Sequence, residues 1–201
     1  MNIENLLYIE DINKKKLFYR FTPAAIASQF VPLIIILDDE ATHFEYKMWH
    51  VLSPIHDKKY LLNTDLLQEL IRQVIEDNEC EDHIYLYGSG RGAYEAILQG
   101  IACKANAVYI QDLSLRLEGI SSKKNNLSSL FNPTDSFPIF FLCKKEDSIK
   151  NNVEDQIEYF VDICKKHGIK HHIDRCIHAG DDEGKTIKEV LNMLERMTSQ
   201  N

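Results

Sequence analysis

Residues 83–97 read HIYLYGSGRGAYEAI, and this stretch restricts the fold more than any other. Ile84, Tyr85, Leu86 and Tyr87 favour a strand, small residues turn the chain sharply, and helix formers follow at once. A strand that passes within a few residues into a helix needs positions where no side chain obstructs the crossing. Gly88, Gly90 and Gly92 supply them. A helix placed directly after a strand carries the chain back to the start of a neighbouring, parallel strand, so the stretch predicts an α/β architecture.

The rest of the chain repeats that rhythm. Residues 16–22 (KLFYRFT) alternate apolar and polar side chains, which predicts a strand near a sheet edge, ended by Pro23. Residues 31–37 (VPLIIIL) form a continuous β-branched run, the pattern of a central strand covered on both faces. A short strand over 47–52 is expected to turn at Ser53-Pro54. Leu66, Leu67, Leu70, Ile71, Val74 and Ile75 recur at helical spacing and predict a helix ending near Asn78. Beyond the opening stretch come a helix over 91–101, strands over 107–111, 137–143 and 169–177, and helices over 152–166 and 186–197. The predicted fold is α/β, three-layered and doubly wound, with a mostly parallel sheet and ligands at the strands' carboxyl ends. A chain of 201 residues is too short for two sizeable cores, so residues 1–201 are expected to form a single domain. Residues 113–136 are rich in polar and turn residues and are expected to be a small cap or loop insertion.

The strand, the glycine-rich turn and the helix resemble the nucleophile elbow of the α/β-hydrolase superfamily. On the pattern G-x-S-x-G, Gly88 and Gly92 fill the outer positions, and Gly90 stands where the serine nucleophile would be. The resemblance covers nearly the whole chain, because an acid (Asp147, or Glu146 beside it) and His178 follow at the ends of later strands in that family's order. It implies a compact hydrolase-like fold with a small lid or none. It also implies an imidazole at His178, oriented by Asp147, that would activate a hydroxyl otherwise too weak to attack. The backbone N–H of Arg91 would be one oxyanion donor, with a second from the loop after Leu37, which reads Asp38-Asp39-Glu40 and is read as a solvated acidic loop. Glycine at the tip keeps the turn and removes the oxygen. The expectation is therefore a pseudoenzyme, catalytically impaired, that keeps a binding or accessory role. The alternative is an active serine esterase or acyltransferase using Ser89, one residue earlier, with Asp147 and His178. The YGSGRGAY segment further resembles compact hydrolase-like acyltransferases and accessory proteins of bacterial surface-glycan and secretion systems. That likeness implies a small acyl, ester or glycan ligand, or a protein partner.

The same turn fits a dinucleotide fingerprint, G-x-G-x-x-G/A, through Gly88, Gly90 and Ala93, with Asp112 ending the next strand. That pattern is the rival reading, a Rossmann-like protein binding NAD or NADP. Against it, several elements precede the turn and too few strands follow it; the hydrolase-like reading calls for no cofactor. Arg91 opposes the dipole at its helix start, and a salt bridge to Asp38, Asp39, Asp112 or Glu146 is the plainest reason for it.

Charge and cysteine usage set further bounds. A formal net charge of -8 opposes neutralisation of phosphates, so nucleic acid and anionic membrane surfaces are not expected partners. Cys80, Cys103, Cys143, Cys164 and Cys176 show no paired spacing and are odd in number, which points to a reducing cytoplasm, with Cys143 as inert packing in its apolar strand. Neither a signal segment nor a run long enough to span a bilayer is evident. His171 and His172 are adjacent on a strand and point to opposite faces, so they cannot share a metal. The sequence carries no reading of oligomeric state.

Overall fold

The computed structural model describes residues 7–10, 16–26, 31–38, 43–55, 64–113, 131, 136–144, 153–175 and 183–198. The apolar runs become strands β1 (Leu7–Glu10), β2 (Lys16–Thr22), β3 (Leu33–Leu37), β4 (His50–Ile55), β5 (Ile84–Ser89), β6 (Ala107–Gln111), β7 (Ile139–Lys144) and β8 (His171–Arg175). The amphipathic segments become helices α1 (Thr64–Asn78), α2 (Arg91–Ala102), α3 (Val153–Lys166) and α4 (Glu183–Thr198).

The strands form one sheet in the order β1-β2-β4-β3-β5-β6-β7-β8. β2 runs antiparallel to both β1 and β4, and every pairing from β4 onward is parallel. All five side chains of β3 are fully buried, as expected of a β-branched strand covered on both sides. One core packs α1, α2 and α3 against the sheet through residues such as Leu67, Ile97 and Phe160. A second core packs α4, through Ile187, Val190, Leu191 and Leu194, against the opposite face. These are the three layers of an α/β/α arrangement. Each fully buried aliphatic side chain in them contributes about 1.5–3 kcal/mol relative to exposure.

The first half of the sheet adds one strand and corrects one expectation. Strand β1 pairs along β2 from Leu7↔Tyr19 to Glu10↔Lys16 and forms the edge, which leaves β2 near the edge, as its alternation predicts. The chain also does not turn at Ser53-Pro54, because β4 continues to Ile55 and Pro54 pairs with Tyr19. Proline is tolerated there because the β3 ladder stops at Leu52, so its missing N–H costs no bond on that side.

The chain lays β4 on one side of β3 and β5 on the other. That reversal makes the carboxyl ends of β3 and β5 the point in an open α/β sheet where a ligand crevice forms. No helix among the described residues is long and apolar enough to cross a membrane.

Candidate functional site

Strand β5 delivers the turn to that reversal point. Its side chains alternate, with Ile84 and Leu86 in the α1–α3 core and Tyr85 and Tyr87 in the α4 core. Gly88 therefore faces α2. A Cβ on it would stand 2.6 Å from Ala96 Cβ and 2.9 Å from Ala93 Cα, so only glycine lets the helix lie this close. Gly92, in the first turn of α2, is tighter still, because a Cβ there would overlap the Leu37 carbonyl oxygen at the end of β3.

Gly90 differs from both. It adopts φ 55° and ψ -116°, a conformation that side chains rarely adopt, and its N–H donates to the Gln111 carbonyl at 3.1 Å. Among the described residues no atom lies within 4 Å of where its Cβ would be. The turn thus has two glycines fixed by crowding and one, at the tip, fixed by backbone conformation with no described atom against it.

Ser89 is half-buried and shares the strand face of Tyr85 and Tyr87, on the α4 side of the sheet. Its register partner is Gln111, which is buried and whose Oε1 accepts a 3.2 Å hydrogen bond from the Tyr87 hydroxyl. Gln111 thus buttresses the turn twice, through its carbonyl and its side chain. The sequence signal for it was a polar residue closing the apolar run AVYIQ. Arg91 is exposed at the first position of α2 and takes part in an interaction with its surroundings, as do Asp38 and Asp112. Asp38 is buried, unlike the solvated acid expected of that loop, and Asp112 has a positive φ of 51°. Ala93 is fully buried under the turn.

Asp147, Glu146 and His178 lie outside the described residues, as do Asp39, Glu40 and most of 113–136. From the expected cap, Leu113 and Phe131 are described and buried in the α1–α3 core, where the Phe131 ring lies 5.3 Å from that of Phe137.

No free thiol competes as a nucleophile among the described residues. Burial pushes Cys80 up to about 11, and burial pushes Cys103 and Cys164 up to about 12, so all three stay protonated at neutral pH. Cys143, expected to be inert packing, is instead disulfide-bonded, and its place beside Gln111 puts it in the same row as Ser89. His172 stacks on Phe141 with centroids 5.0 Å apart, whereas His171 Nδ1 donates to the Ile169 carbonyl at 3.0 Å. No group of three or more His, Cys, Asp or Glu among the described residues could hold a metal ion.

No family model matches the chain, and no curated protein matches it in sequence. Solved structures do match in shape. Esterase 2 of Thermogutta terrifontis phosphoramylated by tabun superposes with a TM-score of 0.69 at 11% identity, covering 100% of this chain and 96% of that one. The same esterase phosphorylated by paraoxon gives 0.67 at 13% identity, over 99% and 95% of the two chains. Its butyrate-bound form gives 0.62 at 12% identity, again over 99% and 95%. At such identities the likeness speaks for the fold alone, and together with the strand order it establishes that this chain has the α/β-hydrolase fold.

Proposed function

We propose that this protein is an α/β-hydrolase-fold binding or accessory protein whose elbow presents a glycine in place of a nucleophile. The observation that carries the reading is Gly90, which holds a sharp, elbow-like conformation with no described atom within 4 Å of where a catalytic side chain would begin. Its ligand would be a small ester, acyl or glycan compound, or a partner protein, met at the carboxyl ends of β3 and β5. The structural neighbours, esterases carrying organophosphorus groups or butyrate, support the ester or acyl class. In this reading residues 1–201 act as one domain, and His178 with Asp147, or Glu146, is the remaining histidine and acid of the family's triad. The Arg91 N–H faces the oxygen of a bound carbonyl.

Two alternatives are less well supported. An active esterase or acyltransferase using Ser89 has in its favour that residue's position at the strand end, yet strand alternation directs it to the α4 face. A nucleotide-binding protein would use Gly88, Gly90 and Ala93, but that pattern leaves Gly92 unexplained, although the Leu37 carbonyl admits only glycine there. A cytoplasmic location belongs to the proposal, and the Cys143 disulfide weighs against it, since reducing compartments keep such bonds open.

Restoring the missing oxygen tests the reading. Gly90→Ser should become labelled at residue 90 by a serine-reactive fluorophosphonate, detected by intact mass, and His178→Ala in that background should abolish labelling. A Gly90→Ser protein that stays folded and unlabelled would remove His178 and Asp147 from the site. Labelling of the wild type at Ser89 would establish the active enzyme instead.

A further inference from the structure

We propose that strand β1 is the docking edge for a second copy of this chain, the two copies pairing antiparallel about a two-fold axis at Tyr8.

β1 is the terminal strand of the sheet and is held on one side by β2. A terminal strand turns a row of backbone N–H and C=O groups outward, and edges that stay single are guarded by lysine, proline, a bulge or an unmatched charge. The sequence of β1, Leu-Tyr-Ile-Glu, holds neither lysine nor proline, and its register with β2 runs without a bulge. Its one charge is matched: Glu10 lies 3.3 Å from Lys16, whose Nζ in turn lies 4.4 Å from the centre of the Tyr8 ring.

The edge is apolar on both faces instead. Leu7 is 50% exposed and Tyr8 54%, and the strip continues onto β2 with Phe18 at 45%. Tyr8 and Phe18 are register partners with ring centroids 5.9 Å apart, whereas Ile9 packs against the α1–α3 core and shares its face with Leu7. At the far end of the sheet, the one large apolar side chain that β8 exposes among the described residues is Ile173.

Symmetry and charge select the partner and the register. Residues directly opposite in an antiparallel pair share a face, so a two-fold axis through an edge strand must set one residue against its own copy. Centred on Glu10, the axis opposes two carboxylates; centred on Ile9, it sets each Glu10 against a tyrosine. Centred on Leu7, it leaves Ile9 and Glu10 without partners in the strand. Centred on Tyr8, it sets Tyr8 against Tyr8 and Leu7 against Ile9, apolar on apolar on both faces. The same register aligns four rings, Phe18 and Tyr8 of one copy with Tyr8 and Phe18 of the other, as cross-strand aromatic pairs. Such a contact is self-complementary and closes at two copies. The ladder is short, so the association is weak and depends on concentration.

The test uses the full chain. Sedimentation velocity over about a hundredfold range of concentration should show the average mass rising from one chain toward two. Tyr8→Lys sets like charges against each other across the axis at an exposed position, and should stay monomeric with a melting temperature close to that of the wild type. Tyr8→Cys, oxidised with diamide, should give a covalent dimer linked at position 8 and released by reductant. Phe18→Cys should not, because the two copies of position 18 lie three strand spacings apart, roughly 14 Å, beyond the reach of a disulfide. A wild type that stays monomeric at the highest concentration, a dimer that survives Tyr8→Lys, or equal linkage at positions 8 and 18 overturns the proposal. A foreign peptide found on the chain by native mass spectrometry, in place of a second copy, overturns it too.

Discussion

Gly88 and Gly92 sit four residues apart in one turn with Gly90 between them, yet they are glycines for opposite reasons. The outer pair is closed in: α2 rests on β5 at Gly88 and on the carbonyl end of β3 at Gly92. Around the middle residue no described atom comes within 4 Å of a Cβ, and its positive φ argues against a side chain. Crowding preserves the position of a helix, whereas an open, strained tip preserves the direction in which a side chain would point. A protein selected only for folding needs the first. The second costs on the order of 1–3 kcal/mol for any other residue and persists chiefly where a site uses it.

Substitution by alanine separates the two cases. Gly92→Ala should be the most damaging, because its Cβ meets backbone that cannot step aside; a loss on the order of 4 kcal/mol, or failure to fold, is expected. In a thermal melt that loss lowers Tm by roughly 8–16 °C for a chain of this size, and a shift within 2 °C would show that the helix does not rest on Leu37. Gly90→Ala meets no described atom and should incur the conformational penalty, on the order of 1–2 kcal/mol, or roughly 2–8 °C. Equal losses at the two positions would end the distinction between crowded and open glycines.

The smallest effect is expected away from the turn, in the crowded first half of the sheet. His50 on β4 accepts a 3.2 Å hydrogen bond at Nδ1 from the Ala24 N–H and stacks on Phe21. Burial lowers its pKa below the ordinary 6.5. Its native state therefore binds a proton less readily than the unfolded chain. The contribution to stability is complete above that ordinary value and is lost as pH falls through the lowered one. Denaturant melts at pH 7 and pH 5 should differ by well under about 1 kcal/mol from this residue, since solvent screens it. His50→Gln should flatten that part of the pH dependence, and an unchanged slope would show that the ring stays solvated.

Local signals were the most legible part of the fold. Strand β2 falls on the residues its alternation indicated, and β3 lies within the apolar run 31–37. Helix α1 follows the 3.6-residue spacing of its leucines and isoleucines. Strand β1 escaped notice because its four residues carry no turn signal and gain their place only by pairing with β2. The boundary of β4 was misplaced because Ser53-Pro54 resembles a turn, and the partner that makes proline harmless comes from outside the local sequence. At the site, the three glycines and Ser89 were all visible. Which face Ser89 takes, that Asp38 is buried, and that Cys143 is bonded depend on contacts between distant segments.

By itself, the sequence determined that a strand, a glycine turn and a helix stand in the middle of a parallel α/β sheet, because hydrophobic period and glycine spacing are properties of adjacent residues. It also determined that no serine stands at the tip. Only the tertiary structure decided that Gly88 and Gly92 are held by packing and Gly90 by conformation. Leu37 and Ala96, which make that difference, come from another strand and from a later turn of the helix, and only folding brings them to the glycines.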